Sequence, residues 1–239
     1  MNLAAKMSSA AGTVGSGRAI APFEATIVKK AVMALTGAAM FAFVTGHLLG
    51  NLQVFMGAER LNAYAAFLKS NMEILWGARI GLLVCIVAHI VVTVQLLQIK
   101  NRARPVAYVK KNNSHSSPAS RTMYYSGPVI LAFVIYHLLH MTLGAVHPHY
   151  SEQDVYANVV YGFQQWPVSL AYVVAIGLLC LHLSHGISSM FQTLGISHPR
   201  RTPRIKRFAR VIALLYFLGF ASIPAAVLAG IIRLPAMSL

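Results

Sequence analysis

The sequence predicts an all-α integral membrane protein with five transmembrane helices, and three observations carry that prediction. Apolar residues fill 57% of the 239 positions and charged residues only 10%, whereas a soluble domain carries about 25% charged residues; the mean hydropathy is +0.62. Five long stretches contain no Asp, Glu, Lys or Arg. The 20 Lys and Arg residues, set against five Asp and Glu, crowd into alternate connections between those stretches. Polar surface is too scarce to cover a globule of this size, which excludes an ordinary cytosolic enzyme; disordered and collagen-like chains are excluded as well. Cys85 and Cys180 both sit in apolar runs, so neither a disulfide framework nor a thiolate metal site is expected.

The uncharged stretches run Ala31 to Met56, Ile80 to Ile99, Thr122 to Ser151, Val155 to Pro199 and Val211 to Ile232. A hydrocarbon core about 30 Å thick needs roughly 20 helical residues, so each stretch holds a span. The expected spans are 31–54, 76–99, 124–146, 167–191 and 211–232. The fourth stretch, 45 residues long, has room for two. However, Asn158, Gln164, Gln165 and Pro167 mark its first part as an interfacial connection, and Trp166 marks the membrane boundary where the span begins. The opening, Met1 to Gly17, is rich in Ala, Ser and Gly and lacks the continuous apolar core of a signal peptide. Residues 1–28 are expected to form a mobile cytoplasmic tail, and residues 29–239 a single transmembrane domain.

Positively charged connections stay inside. Lys29 and Lys30 precede the first span. The second connection carries Lys100, Arg102, Arg104, Lys110, Lys111 and Arg121, and the fourth carries Arg200, Arg201, Arg204, Lys206, Arg207 and Arg210. The first connection balances Glu59 and Glu73 against Arg60 and Lys69, while the third has Glu152 and Asp154 without a basic residue. The amino terminus is therefore expected on the cytoplasmic side and the carboxyl terminus outside. This distribution accounts for the net charge of +15 by membrane topology, without a nucleic-acid partner.

Ionisable groups inside a membrane are costly and point to function. Of ten histidines, His47, His89, His137, His140, His182 and His185 fall within the first four spans. His115, His147, His149 and His198 lie in connections and are expected to be solvated. At 1.5 Å per residue, His47 and His137 both lie about 24–25 Å from the inner boundary. His89 and His182, on descending spans, share a level near the inside. Two imidazole pairs result, one at each depth, each joining two different helices. An iron porphyrin in a helix bundle needs such a pair, one imidazole above and one below the ring. The first four spans are accordingly expected to form a haem-binding four-helix bundle. His140 and His185, each three residues beyond a proposed ligand, are competing ligand candidates, with hydrogen bonding to a ligand or a propionate contact as the other reading. Hydrogen-bonded membrane histidines that merely join helices are the bland alternative. A zinc site lacks a carboxylate or thiolate at either level.

The block His47-Leu-Leu-Gly-Asn-Leu-Gln-Val-Phe-Met-Gly, followed by Ala58-Glu-Arg-Leu-Asn-Ala-Tyr, resembles the cytochrome b anchor subunit of succinate dehydrogenase and fumarate reductase, of the single-chain, five-helix, two-haem type. Val87-Ala-His-Ile-Val-Val and Ile135-Tyr-His-Leu-Leu-His are similar too. So are Leu181-His-Leu-Ser-His-Gly-Ile-Ser-Ser-Met-Phe and the following Gly195-Ile-Ser-His-Pro. The resemblance runs from Lys29 to about Ile232. It implies two haem b groups, with His47 and His137 as axial iron ligands of the outer one and His89 and His182 of the inner one. In helix three it favours His137 over His140, and it makes His185 a non-ligand. It further implies a bacterial cytoplasmic membrane protein. A flavoprotein subunit and an iron–sulfur subunit would dock on its cytoplasmic side, and electrons would pass to menaquinone or another quinone. The chain would then have no succinate-oxidising site of its own, and a quinone-reducing site is the one catalytic function open to it.

Two positions depart from that pattern. Some relatives place an acidic residue in the first connection where this chain has Lys69, leaving Glu59 and Glu73 nearby. Relatives with a transmembrane proton route carry a Glu where this chain has Cys180. Arg79 is a candidate propionate partner, with snorkelling at the interface as its other reading. Asn51 either lines an outer quinone pocket or caps its helix. The basic inside connections suit soluble subunits and anionic membrane lipid alike. Two other functions compete: a diheme anchor of a formate dehydrogenase or hydrogenase, and a haem-free transporter with a histidine proton relay.

Overall fold

The computed structural model describes residues 26–103 and 118–235. Arg104, Lys110, Lys111, His115 and the expected amino-terminal tail up to Ala25 lie outside the described residues. Among those described, seven α-helices occur: α1 Thr26–Asn51, α2 Ala58–Ser70, α3 Met72–Arg102, α4 Pro118–Met141, α5 Val155–Gln164, α6 Trp166–Thr193 and α7 Thr202–Leu228. Five of them, α1, α3, α4, α6 and α7, are long and apolar enough to cross a membrane. The protein is a membrane helical bundle.

Each long helix arises where charge is absent for about 20 residues, because a backbone in hydrocarbon must satisfy its own hydrogen bonds. α3 is apolar on all sides, and Ile80, Leu83, Val84, Val87 and Ile90 are exposed along it, as suits a lipid-facing helix. α6 and α7 begin with a proline in the first helical turn, where a missing N–H costs nothing. Both end alike. Ile196 N–H donates to the Phe191 carbonyl and Gly195 N–H to the Gln192 carbonyl. Ile231 and Gly230 repeat the pattern onto Ala226 and Val227. Gly195 and Gly230 have φ of 75° and 70°, the left-handed conformation this cap requires.

α6 occupies the centre of the bundle, packed against α7, α4 and α1, while α1 also packs against α3. α3 and α4 share no extended interface among the described residues. The close-packed core lies towards the end where α1, α4 and α7 finish. There α2 and α5 fold across the bundle and bury Leu61, Val160 and Phe163 with Leu48, Tyr172 and Ile223.

Three local expectations change. The segment expected to be an interfacial connection contains α5, with Tyr156, Val159, Val160 and Phe163 buried. Within it Asn158 is buried, its Nδ2–H donating to the Ser151 carbonyl while its Oδ1 accepts the Ser151 N–H. The third span stops at Met141, because Gly144 turns the chain with φ 70° and the Tyr150 hydroxyl returns to the Thr142 carbonyl at 2.6 Å. The fifth helix starts at Thr202, so Arg204, Lys206, Arg207 and Arg210 lie on its first turns and not in a loop. Long basic side chains let a helix continue into the headgroup region by snorkelling.

The short helices are fastened by polar side chains. Asp154 caps α5, its Oδ1 accepting the Ala157 N–H at 2.9 Å. The same oxygen accepts from Asn62 Nδ2 at 2.9 Å, and Asn62 Oδ1 accepts the Tyr156 N–H at 3.0 Å. Asn62 therefore ties α2 to α5. Lys69 donates to the Glu152 carbonyl, which adds a second tie between the two outer connections.

Candidate functional site

The membrane histidines meet across the bundle in two pairs. His47 on α1 faces His137 on α4 with ring centroids 5.7 Å apart and planes at 84°. His89 on α3 faces His182 on α6 at 6.4 Å, with planes at 50°. Neither α1 with α4 nor α3 with α6 forms an extended helix interface. Each pair thus spans a diagonal between helices held apart by a third. Among the described residues no group of three or more His, Cys, Asp or Glu side chains converges on a metal-sized site, so the imidazoles stand in twos.

Three of these four imidazoles have a hydroxyl at Nδ1, supplied each time by a neighbouring helix. Thr36 Oγ1 on α1 lies 3.1 Å from His89 Nδ1. The Thr36 hydroxyl hydrogen is directed to its own helix, towards the Val32 carbonyl at 2.8 Å, so the threonine oxygen is left to accept from the histidine. Ser126 Oγ on α4 lies 3.5 Å from His182 Nδ1. Tyr172 Oη on α6 lies 3.3 Å from His137 Nδ1. With Nδ1 engaged, Nε2 is the free nitrogen of each ring; a hydrogen bond at one ring nitrogen sets what the other can bind. Among the described residues no hydrogen bond engages the ring of His47.

The separation between the two levels follows from helix rise. Thr36 precedes His47 by 11 residues, Ser126 precedes His137 by 11, and Tyr172 precedes His182 by ten. At 1.5 Å per residue these intervals are about 15–17 Å. They also amount to nearly three turns, so the hydroxyl and the histidine share one face of each helix. α1 and α4 present their histidine at the level nearer α2 and α5 and their hydroxyl at the other level; α6 does the reverse.

His140 lies one turn beyond His137 and is only 1% exposed. Its Nδ1 is 2.9 Å from the same Tyr172 hydroxyl. Its ring stacks on Tyr136 at 5.5 Å and on His147 at 4.8 Å. A Cβ on Gly162 of α5 would come within 2.9 Å of His140 Cε1, so only glycine leaves room for that ring. His147, expected in a solvated loop, is instead buried. Its Nε2–H donates to the Asn158 carbonyl at 2.9 Å and its Nδ1 accepts the His149 N–H at 3.1 Å, an arrangement open to the neutral ring alone. His149 and His198 are exposed, in keeping with their loop positions.

The remaining sequence candidates are placed apart from the pairs. Arg79 is exposed, its guanidinium 5.0 Å from the ring centre of Trp76. It also acts on Tyr150: burial and the Glu152 carboxylate push the Tyr150 phenol up, and Arg79 opposes them. That puts Arg79 at the end of the bundle where α3 begins. Asn51 turns back on its own helix, Nδ2 donating to the His47 carbonyl at 2.7 Å, which satisfies one of the last carbonyls of α1. Lys69 is taken up by the Glu152 carbonyl. Glu59 and Glu73 are exposed in the first turns of α2 and α3, where the helix dipole favours an acid. Cys180 is buried in α6. Thr36, Ser126, Tyr172 and Gly162 were missed by reading histidines alone; the three-turn spacing of hydroxyl and histidine on three helices was the available signal.

The sequence pattern of the succinate dehydrogenase/fumarate reductase transmembrane subunit matches residues 98–221, which include His137 and His182. Comparison with curated proteins and with solved structures finds no match. A match over more than half of the chain, on a bundle of five membrane-crossing helices with paired internal histidines, makes this protein a member of the succinate dehydrogenase/fumarate reductase transmembrane subunit family.

Proposed function

We propose that the chain is the electron-transferring membrane anchor of a succinate:quinone oxidoreductase, holding two haem b groups, each between two imidazoles. His47 and His137 hold the outer one and His89 and His182 the inner one. The observation that carries this is the pairing of imidazoles across two diagonals, three of the four with Nδ1 turned to a hydroxyl and Nε2 left free. With metal–nitrogen bonds of about 2 Å and each ring centre about 1 Å behind its nitrogen, two imidazoles on opposite faces of one iron have centroids about 6 Å apart. The separations of 5.7 and 6.4 Å bracket that value.

Bound there, held by His47 and His137 and by His89 and His182, haem would supply one-electron redox chemistry. The residues of this chain hold the ring faces, exclude water with the apolar walls of four helices, and keep the ligating nitrogens deprotonated. Levels about 15–17 Å apart along the helix axis give a two-step route across the bundle. The flavoprotein and iron–sulfur subunits would dock on the side bearing Lys29, Lys30, Lys100, Arg102 and the basic start of α7, taken as cytoplasmic by the positive-inside rule. Electrons would leave to menaquinone or another quinone.

Affinity purification of the chain from its native membrane tests this. Succinate dehydrogenase flavoprotein and iron–sulfur subunits should co-purify, and reduced-minus-oxidised spectra should give two low-spin haems per chain. A colourless chain would favour a histidine-bearing transporter, and co-purifying formate dehydrogenase or hydrogenase subunits would replace the partner.

A further inference from the structure

We infer that Tyr172 is the positioning residue of the outer haem site: its phenol oxygen accepts the Nδ1–H of His137, orients that ring and increases its electron donation. The inference rests on the proposed reading of His137 as an iron ligand.

The phenol has one hydrogen and two imidazole neighbours, His140 Nδ1 at 2.9 Å and His137 Nδ1 at 3.3 Å. It can donate to only one of them. If it donated to His137, the remaining proton of that neutral ring would sit on Nε2 and block ligation. The arrangement that leaves His137 Nε2 free has His137 Nδ1–H donating to Tyr172 and Tyr172 O–H donating to His140. The shorter distance to His140 agrees with that order.

His140 is held ready to accept. Its ring is clamped between Tyr136 and His147 and closed in by the bare backbone of Gly162. His147 is itself fixed by hydrogen bonds at both nitrogens. Tyr172 is 4% exposed and packs edge-on against Phe133 and Phe163, so the phenol cannot swing to solvent. A buried acceptor on the far nitrogen fixes the ring and raises its basicity, and losing such partners typically costs 10–100-fold in metal affinity. At the inner site Thr36 takes this part for His89, but its own proton goes to a backbone carbonyl and not to a second imidazole.

The test is redox titration of both haems in the assembled complex carrying Tyr172→Phe, with Thr36→Val as the counterpart. The two transitions are assigned beforehand from His137→Leu and His182→Leu. Tyr172→Phe should keep both haems and raise the potential of the outer one alone, because the less basic ligand loses more of its hold on ferric than on ferrous iron. A tenfold loss of that preference is 59 mV for one electron. Thr36→Val should shift only the inner transition. Selective loss of the outer haem from Tyr172→Phe would support the same assignment. If the Tyr172→Phe complex does not assemble, His140→Leu removes the acceptor that orients the phenol and should shift the same transition. Wild-type outer potential in the Tyr172→Phe complex, or in its substitute His140→Leu, overturns the inference while leaving the haem ligands standing. A wild-type complex with fewer than two haems overturns the reading beneath it.

Discussion

The two imidazole pairs are built from the same residue type, one on α1 and α4 and the other on α3 and α6, yet their surroundings differ. At the outer level the hydroxyl beside the ligand candidate is a phenol. It is shared with a second imidazole that is stacked, buried and braced by α5. At the inner level the hydroxyls are those of Thr36 and Ser126, which turn to backbone carbonyls of their own helices. His182 lies on α6, which buries six residues, but α3, which carries its partner His89, has Val92 as its one buried residue. The outer pair is thus embedded in side-chain packing and the inner pair is hung from helix backbones. Where a group is embedded, changes several residues away reach it; where it is hung from the backbone, only its immediate neighbours do.

The comparison breaks most completely if a pair is removed. His137→Leu should abolish one of two haems and leave the inner spectrum intact, and His182→Leu should do the converse; haem per protein and low-temperature difference spectra read both. A smaller and one-sided effect is expected from Gly162→Val, which drives a side chain into the His140 ring and the Met141 methyl, 2.9 and 3.1 Å from the new Cβ. Overpacking of this kind costs about 1–3 kcal/mol. It should appear in thermal melts with the outer absorption lost first; an inner haem that fails together with it would erase the distinction between the levels. Asn158→Ala removes both bonds to Ser151 and should cost about 1–3 kcal/mol, with faster hydrogen exchange over residues 142–158 and none of that change near His89. Smallest is Asp154→Ala, the loss of the α5 cap together with the Asn62 bond to the same oxygen, at about 1–2 kcal/mol, seen as a modest drop in melting temperature.

Much of the architecture was legible because the bilayer imposes a simple demand. A stretch with no charge from Ile80 to Ile99 must be a helix. The pairing of His47 with His137 and of His89 with His182 was legible too, since helix rise converts sequence separation into depth. The connections were harder. The connection read from Asn158, Gln164 and Gln165 holds the helix α5, in which Asn158 is buried because Ser151 satisfies both ends of its amide. His147 was read as solvated for the same reason: its partners, the Asn158 carbonyl and the His149 N–H, are groups that no composition count can place.

Sequence by itself determined five membrane-crossing helices and the four histidines at two depths, because charge cost and helix rise are properties of each segment alone. Tertiary structure decided which hydroxyl meets which imidazole, and that Tyr172 stands between His137 and His140. It also decided that α5, through Gly162, closes over the outer level. Those outcomes depend on how helices rotate and lean on one another, and rotation is settled by packing among segments far apart in the chain.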